Sequence, residues 1–538
     1  MDRDREPPGG GATAAAKRIG VVGAGTMGAG IAQVAAAGGA RVLLHDPVDG
    51  AAQRGAAAAR DGLDRWRAKG RVDAGAAKRL HVAGDLADLA GCDLVVEAAP
   101  ERLELKRELL ATLSALAPGA VLASNTSSLP ITALAGAAAD PTRVVGMHFF
   151  NPVALMGLVE VVAGVASSAE ALAVARATGA AMGKRVIEVA DGPGFLVNRC
   201  NRPFGGEALE LLSAGVAHAE VIDRIVRAAG FPLGPFELQD LVGLDVGLTV
   251  AESFWAQSYG EPRWRPSPLS ARMVAAGRLG RKSGCGWYAY ADGRALRPPD
   301  PPPVPVGGGE RRLVVLSGET TLAHELRALA DAADWRVEEA MGDDVPWLIV
   351  ACGAAEEEGP PAQGAPQVLL CAEASLHQLD PSGNAAGFHA LPPLDAGGLV
   401  ELTRGTTTTE LTVERAEAFF GALGLQTAWV GDAPGLVLGR IVAQLVNEAA
   451  FALTEGVTAD PQAVDDAMEL GLSHPRGPLG WGDEIGLDHV LTLLDALRSE
   501  TGQERYRAAP LLRRMVADGH VGMAAGIGFH EYEEPDER

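Results

Sequence analysis

The 538-residue chain repeats itself, and that repeat limits its folds more than any other feature. A break comes first: Arg294–Gly309 reads RALRPPDPPPVPVGGG, six prolines followed by three glycines, which supports neither a helix nor a central strand. The segments on either side match. Arg265–Tyr290 pairs without gaps with Arg507–Tyr532 at an offset of 242, and DGPG at Asp191–Gly194 pairs with DAPG at Asp432–Gly435 at 241. Gly234–Asp245 pairs with Gly477–Asp488 at 243, and Gly146–Val161 with Gly387–Leu402 at 241. Offsets this steady require a tandem duplication, so whatever one copy folds into, the other must approximate.

Each copy reads as an α/β segment followed by an all-α one. In the first, strand-like runs (RIGVV, RVLLHD, CDLVVEA, AVLAS, RVVGMHF and LVEVV) alternate with Ala-rich helical stretches, the pattern of a doubly wound parallel sheet. From Asp191 the periodicity turns helical. The expected divisions are a disordered tail over 1–16, an α/β domain over 17–190 and a helical domain over 191–291. A linker over 292–311, stiff and then flexible, precedes a degenerate α/β domain over 312–431 and a second helical domain over 432–538.

Composition narrows the partners. The net charge of −23 repels phosphate backbones and anionic lipid, which argues against nucleic acid and membrane. No apolar run reaches the roughly 18 residues of a membrane span, and the N-terminus lacks the apolar core of a secretory signal. Five scattered cysteines without C-x-x-C spacing point to neither disulfides nor a metal centre, which fits the cytoplasm. Only six basic residues are Lys, so each lysine merits attention.

The strand RIGVV runs into Gly23-Ala-Gly25-Thr-Met-Gly28 and then a helix. In this fingerprint the first glycine makes the tight turn, the second lets backbone approach a pyrophosphate, and the third lets helix pack on strand. Asp46 ends the next strand 18 residues after Gly28, where a carboxylate binds ribose hydroxyls and repels a 2′-phosphate. A Rossmann-like domain that binds NAD in preference to NADP follows. His148 ends a strand on the carboxyl side of the sheet, with Glu160 twelve residues later. Imidazole suits the removal of a hydroxyl proton near neutral pH, and a carboxylate would orient it. Spacing alone does not separate this role from a structural one.

Taken together, GVVGAGTMGAGIA, VVEAAPERLELK, SNTSSL, GMHFFNPVALMGLVEV, DGPGFLVNR, GPFELQDLVGLD and GRKSGCGWY resemble the L-3-hydroxyacyl-CoA dehydrogenase family over residues 17–291. The two-copy form is similar to bacterial 3-hydroxyadipyl-CoA dehydrogenases of phenylacetate catabolism. The resemblance implies NAD-dependent oxidation of a 3-hydroxyacyl-CoA, the reaction type of fatty acid β-oxidation, with 3-hydroxyadipyl-CoA and 3-hydroxybutyryl-CoA both open as substrates. It makes His148 the base, Glu160 its partner, and Ser127 and Asn198 the contacts to substrate. It puts Glu101, Lys106, Asn151 and Lys282 beside the dinucleotide with Gly23, Gly25, Gly28 and Asp46, and Lys69 against coenzyme A. Gly62 departs from relatives that carry a serine there. A non-catalytic binding or structural protein, and a dehydrogenase of free hydroxy acids, are the rival readings.

In the second copy, aligning KRIGVVGAGTMG with RRLVVLSGETTL replaces Gly23 by Ser317, Gly25 by Glu319 and Gly28 by Leu322. Ser127 becomes Ala374 and Asn198 becomes Gly439, while His389 and Glu401 keep the spacing of His148 and Glu160. That copy is expected to bind no NAD. Family members with one copy are homodimers joined through the helical domain, so the resemblance implies an intrachain pseudo-dimer of the two helical segments. Homodimer formation by the whole chain stays open.

Overall fold

A computed structural model describes residues 14–353, 365–394 and 397–533. The chain separates into two compact units: Met1–Arg199 with Gly456–Ala459 and Leu470–Leu472, and Cys200–Glu455 with Asp460–Glu469 and Ser473–Arg538. Residues 1–13 of the expected tail lie outside the described residues. Its last residue, Ala16, is buried and donates its N–H to Thr178 Oγ1 at 3.0 Å, so the packed fold starts before Lys17.

The first unit is built on eight strands: β1 Arg18–Val22, β2 Arg41–His45, β3 Leu80–Val82, β4 Leu94–Glu97, β5 Val121–Ser124, β6 Val144–Phe149, β7 Leu158–Ala163 and β8 Arg185–Ala190. Their order is β3-β2-β1-β4-β5-β6-β7-β8. β1, β2, β4 and β6 read as near-continuous apolar runs because helices cover both faces of such a sheet, while β3 at its edge carries the exposed His81. The expected all-parallel sheet needs one correction: β7 runs antiparallel to β6. Only the eight residues 150–157 join them, too few for a crossover, so the chain must turn back on itself.

The second unit carries a seven-stranded sheet in the order Arg336–Glu338, Leu313–Ser317, Leu348–Ala351, Gln367–Leu370, Ala386–His389, Leu399–Arg404, Gln426–Trp429. It repeats the first sheet without β3. The chain passes from Glu338 to Leu348 directly, where the first copy inserts the helix Ala51–Ala68 and β3.

Most of both helical segments lies in this unit, around the helix Leu438–Thr454, while residues 191–199, 456–459 and 470–472 belong to the first unit. Every residue from Leu438 to Ala452 is buried, so this helix has no solvent face and its polar side chains must find partners. Arg440 donates from Nε to Glu207 Oε1 at 2.8 Å and from a terminal nitrogen to the Tyr506 hydroxyl at 2.9 Å. Tyr506 donates to Glu207 as well, at 3.0 Å. Arg263 reaches Glu448 at 2.8 Å, and Asn447 bonds the backbone of Arg507 and Ala509. These contacts are reciprocal between copies: Glu207 of the first faces Arg505 of the second, and Glu448, the counterpart of Glu207, faces Arg263, the counterpart of Arg505.

Glu207 is fully buried, and its removal strands the Arg440 guanidinium. Glu207→Ala is expected to cost about 3–5 kcal/mol of folding stability, read from the urea midpoint at constant slope.

The linker is held rather than free. Arg297 pairs with Glu237 at 2.6 Å, Asp300 with Arg227 at 2.6 Å, and Gly307 donates its N–H to Ala422 O at 2.8 Å. Arg297, Asp300 and the Gly307 N–H thus find partners that a reading of Pro and Gly content overlooks.

Candidate active site

The turn from β6 into β7 pairs His148 with Glu160 in register, as cross-strand neighbours on one face. His148 Nδ1 lies 2.6 Å from Glu160 Oε2, and both side chains are buried. The other carboxylate oxygen, Oε1, accepts the backbone N–H groups of Leu196 and Val197 at 3.0 and 2.9 Å. Glu160 therefore ties the base to the chain segment that carries Asn198. Phe150 and Phe195 flank the imidazole, with centroids 4.5 and 5.8 Å away. Among the described residues Nε2 has no partner. With Nδ1–H given to the carboxylate, Nε2 presents its lone pair, the arrangement a general base needs.

Ser127 follows β5, half-buried, and its hydroxyl has no partner among the described residues. Asn198 Nδ2 donates to Ser127 O at 3.3 Å, which brings these two expected substrate contacts together. Glu101 is the anchor of the Ser127 loop. Its Oε1 accepts Thr126 Oγ1 at 2.6 Å, the N–H groups of Ser127 and Ser128 at 3.0 and 3.1 Å, and Ser128 Oγ at 2.9 Å. Burial raises its pKa, but the Lys106 ammonium and the Thr126 and Ser128 hydroxyls outweigh that and hold the carboxyl below its ordinary range.

Lys106, expected beside the dinucleotide, is 1% exposed. Its Nζ donates to Glu97 Oε1 at 2.7 Å and Ala99 O at 3.2 Å, and meets Glu101 Oε2 at 3.2 Å. It faces inward and braces the loop, because two acids surround it. Glu97, missed in the sequence, sits fully buried at the end of β4 and also accepts Ser124 Oγ at 2.6 Å. An acid closing an apolar strand, nine residues before a lysine, was the available signal. Asn125 was missed too; its Oδ1 accepts the Phe149 N–H at 2.9 Å and so fixes the residue after the base.

The glycine loop fits a dinucleotide on three counts. Gly23 takes φ +100°, and a Cβ there would meet Ala98 O at 2.5 Å. A Cβ at Gly28 would lie 1.8 Å from Gly23 O, so nothing larger lets helix Thr26–Ala37 pack on β1. At Gly25 a Cβ would touch nothing within 4 Å, which leaves open the side a pyrophosphate approaches, and no side chain caps the helix. Asp46 Oδ2 accepts the Ala24 N–H at 2.8 Å, placing a carboxylate at the edge of this loop.

The remaining expected residues are dispersed. Asn151 is exposed just past β6, and Lys69 is exposed at the end of helix Ala51–Ala68, with no ion pair among the described residues. Lys282 belongs to the second unit, where it pairs with Asp245. Gly62 has a packing cause: a Cβ there would meet Gln33 Oε1 at 2.3 Å, so Gln33 fills the place of the serine. No three-residue cluster of metal-binding side chains occurs among the described residues.

The second copy pairs His389 with Glu401 in the same register, yet the dyad is undone. Glu401 spends Oε2 on the Val437 N–H at 2.6 Å and Oε1 on the Leu438 N–H at 2.8 Å. His389 turns instead toward His489, with 3.4 Å between their Nε2 atoms, and its Nδ1 has no hydrogen-bond partner. A Cβ on Gly439 would meet the His389 ring at 2.3 Å, so the imidazole takes the room that losing the asparagine side chain left. Burial pushes Glu401 up to about 8, against the pull of two backbone donors, and burial with His489 alongside holds His389 well below its usual range. What survives is the brace on the incoming chain.

The register also corrects the alignment of the second loop by one residue. Leu313 pairs with Arg336 as Arg18 pairs with Arg41, so Gly318 is the counterpart of Gly23, and its φ of +104° matches. Gly25 then becomes Thr320, whose side chain caps its own helix through the Ala323 N–H, and Gly28 becomes Ala323. The turn is kept because the strand must still leave the sheet there, while one donor at the helix start, the Ala323 N–H, is spent on Thr320 Oγ1. Asp432 caps Leu376 and His377 as Asp191 caps Ile131 and Thr132, which makes Ala372 rather than Ala374 the counterpart of Ser127.

Comparison with known proteins accords with this geometry. Residues 18–192 match the family model for the 3-hydroxyacyl-CoA dehydrogenase NAD binding domain, and residues 194–290 and 435–532 both match the C-terminal domain model of the same family. The 3-hydroxyadipyl-CoA dehydrogenase of Escherichia coli K12 is 36% identical over 92% of this chain and 96% of its own length. A probable 3-hydroxybutyryl-CoA dehydrogenase of Deinococcus radiodurans is 44% identical over 51% of this chain and all of its own. Among solved structures, a 3-hydroxybutyryl-CoA dehydrogenase from Escherichia coli K12 covers 94% of this chain and 99% of its own, with a TM-score of 0.77 and 34% identity.

Proposed function

The chain belongs to the 3-hydroxyacyl-CoA dehydrogenase family, and from that premise we propose that its first copy oxidises a 3-hydroxyacyl-CoA to the 3-oxoacyl-CoA with NAD. The free Nε2 of His148, held by Glu160 through Nδ1, carries this reading. The substrate's 3-hydroxyl donates its proton to Nε2. Glu160 stabilises the imidazolium that forms, at a site buried enough to make that charge pairing count. Bound NAD supplies the hydride acceptor for C3. Ser127 and Asn198 hold the reacting oxygen and the thioester, and Glu101, Lys106 and Glu97 keep the Ser127 loop in place. Asp46 takes the adenosine ribose.

The second copy binds no dinucleotide in this reading, since Thr320 caps the helix that would meet the phosphates. Its part is structural: the helical segments form a pseudo-dimer within one chain, a reading supported by the reciprocal Glu207–Arg505 and Glu448–Arg263 contacts. Among the described residues no helix is long and apolar enough to cross a membrane, and the proposed setting is cytoplasmic.

The purified chain is expected to oxidise NADH rapidly with acetoacetyl-CoA, and to be far slower with free acetoacetate or with NADPH. Saturable NADH binding without turnover of the thioester would favour a binding role instead. Equal turnover of free acetoacetate would favour a free hydroxy acid.

A further inference from the structure

One of the few lysines has no part in the mechanism above. Lys184 stands between the helix Ala169–Ala181 and β8, half-buried, and its Nζ donates to Val153 O and Met156 O, both at 2.6 Å. Among the described residues it meets no carboxylate, and burial alone holds its pKa below the usual lysine range. An ammonium placed in this way carries a desolvation cost that no opposite charge offsets. What the fold gains is a fixed turn. Val153 and Met156 belong to the eight residues 150–157 between β6 and β7, which open with Phe150 and the exposed Asn151 directly after the strand that carries His148.

The same turn also rests on the helix of the glycine loop. Val153 is buried, and a Cβ at Gly30, two residues past Gly28, would lie 2.9 Å from Val153 Cβ. Helix Thr26–Ala37 and Lys184 therefore both hold the turn, at the carboxyl ends of the parallel strands, the end where the glycine loop opens. The second copy secures its turn in another way. Lys184 becomes Leu425, buried in the apolar core, and Gly30 becomes Glu325, which accepts the N–H of Leu394, the counterpart of Val153, at 2.8 Å. There a carboxylate on the helix replaces the lysine. In the first copy an acid at position 30 would put negative charge on the helix whose N-terminus faces the pyrophosphate, and the lysine avoids that repulsion. Asn151 becomes Pro392, so the copy that lost the fingerprint has lost the exposed amide and the lysine together.

We propose that Lys184 is a positioning residue for the cofactor: it fixes the turn after the base so that the Asn151 amide meets the nicotinamide end of NAD. It does so without touching the dinucleotide and without adding negative charge beside the phosphates. The proposal rests on the reading of the first copy as the NAD site, with Asn151 at its edge.

The test titrates the full chain with NADH and with ADP-ribose, which share the adenosine and the pyrophosphate and differ in the nicotinamide. Lys184→Met keeps the bulk of the side chain and removes its donors. It should weaken NADH binding about tenfold and leave ADP-ribose within about twofold, with KM for NADH rising in step and KM for acetoacetyl-CoA little changed. Lys184→Arg, which can still donate to both carbonyls, should recover most of the loss. Asn151→Ala, at an exposed position, should give the same pattern, and adding Lys184→Met to it should cost little more, because the two act as one unit. Equal losses on both probes would give the lysine a purely structural role and overturn the proposal. So would wild-type NADH affinity in Asn151→Ala, a readout independent of how well the lysine variants fold. A wild type that binds neither probe would overturn the NAD reading itself, and this proposal with it.

Discussion

His148→Gln lowers kcat by about three to four orders of magnitude while leaving the dissociation constant for NADH within about twofold. Glutamine can fill much of the imidazole's space and keep a hydrogen bond to Glu160, but its amide does not accept a proton near neutral pH. The alcohol must then lose its proton to water in a site lined by Phe150 and Phe195. The dinucleotide loop should be unaffected, since β4 and β5 separate β1 from β6, about 14 Å at the usual strand spacing. Stopped-flow hydride transfer and NADH fluorescence titration read the two quantities separately. Near-normal turnover would refute the base assignment, and a parallel loss of NADH binding would show that the variant disturbs more than the proton transfer.

Deleting residues 310–538 gives a chain that aggregates or self-associates, although it keeps the whole first copy. One core cluster joins Phe204, Ala208, Leu211 and Ile225 of the first helical segment to Ile441, Val446, Leu494 and Leu512 of the second. Removing the second segment returns that apolar surface to water at roughly 25 cal/mol per Å², and it leaves Glu207 without Arg440 and Tyr506. If the segments pair as subunits would, the truncated chain can recover much of this by pairing with itself, since the surface is close to self-complementary. Sedimentation should show dimers or larger species at micromolar concentration. A soluble, fully active monomer would remove the reason proposed here for keeping the second copy.

The two copies show where sequence spacing misleads. His389 and Glu401 keep the interval of His148 and Glu160 and the same strand register, so by spacing they are equivalent. The difference lies at Gly439, whose missing side chain lets the imidazole swing away, and in the Glu401 oxygen spent on Val437. Glu160 manages both tasks by taking two backbone donors on one oxygen and the histidine on the other. Retention of the acid in a copy that lost the dyad shows that part of this carboxylate's work is to anchor the entering chain.

What the sequence determined by itself is what local pattern can carry. The duplication, the alternation of strands and helices and the glycine loop are legible because each is written in neighbouring residues or in a repeat; His148 stood out only as a histidine at a strand end, and Ser127 and Asn198 entered through the resemblance of their motifs to a family. Tertiary structure decided the rest, because hydrogen-bond and charge accounting is not local. Lys106 faces inward because Glu97 and Glu101 converge on it, which its place in VVEAAPERLELK does not reveal. The turn glycine of the second copy proved to be Gly318 only when strand pairing set the register.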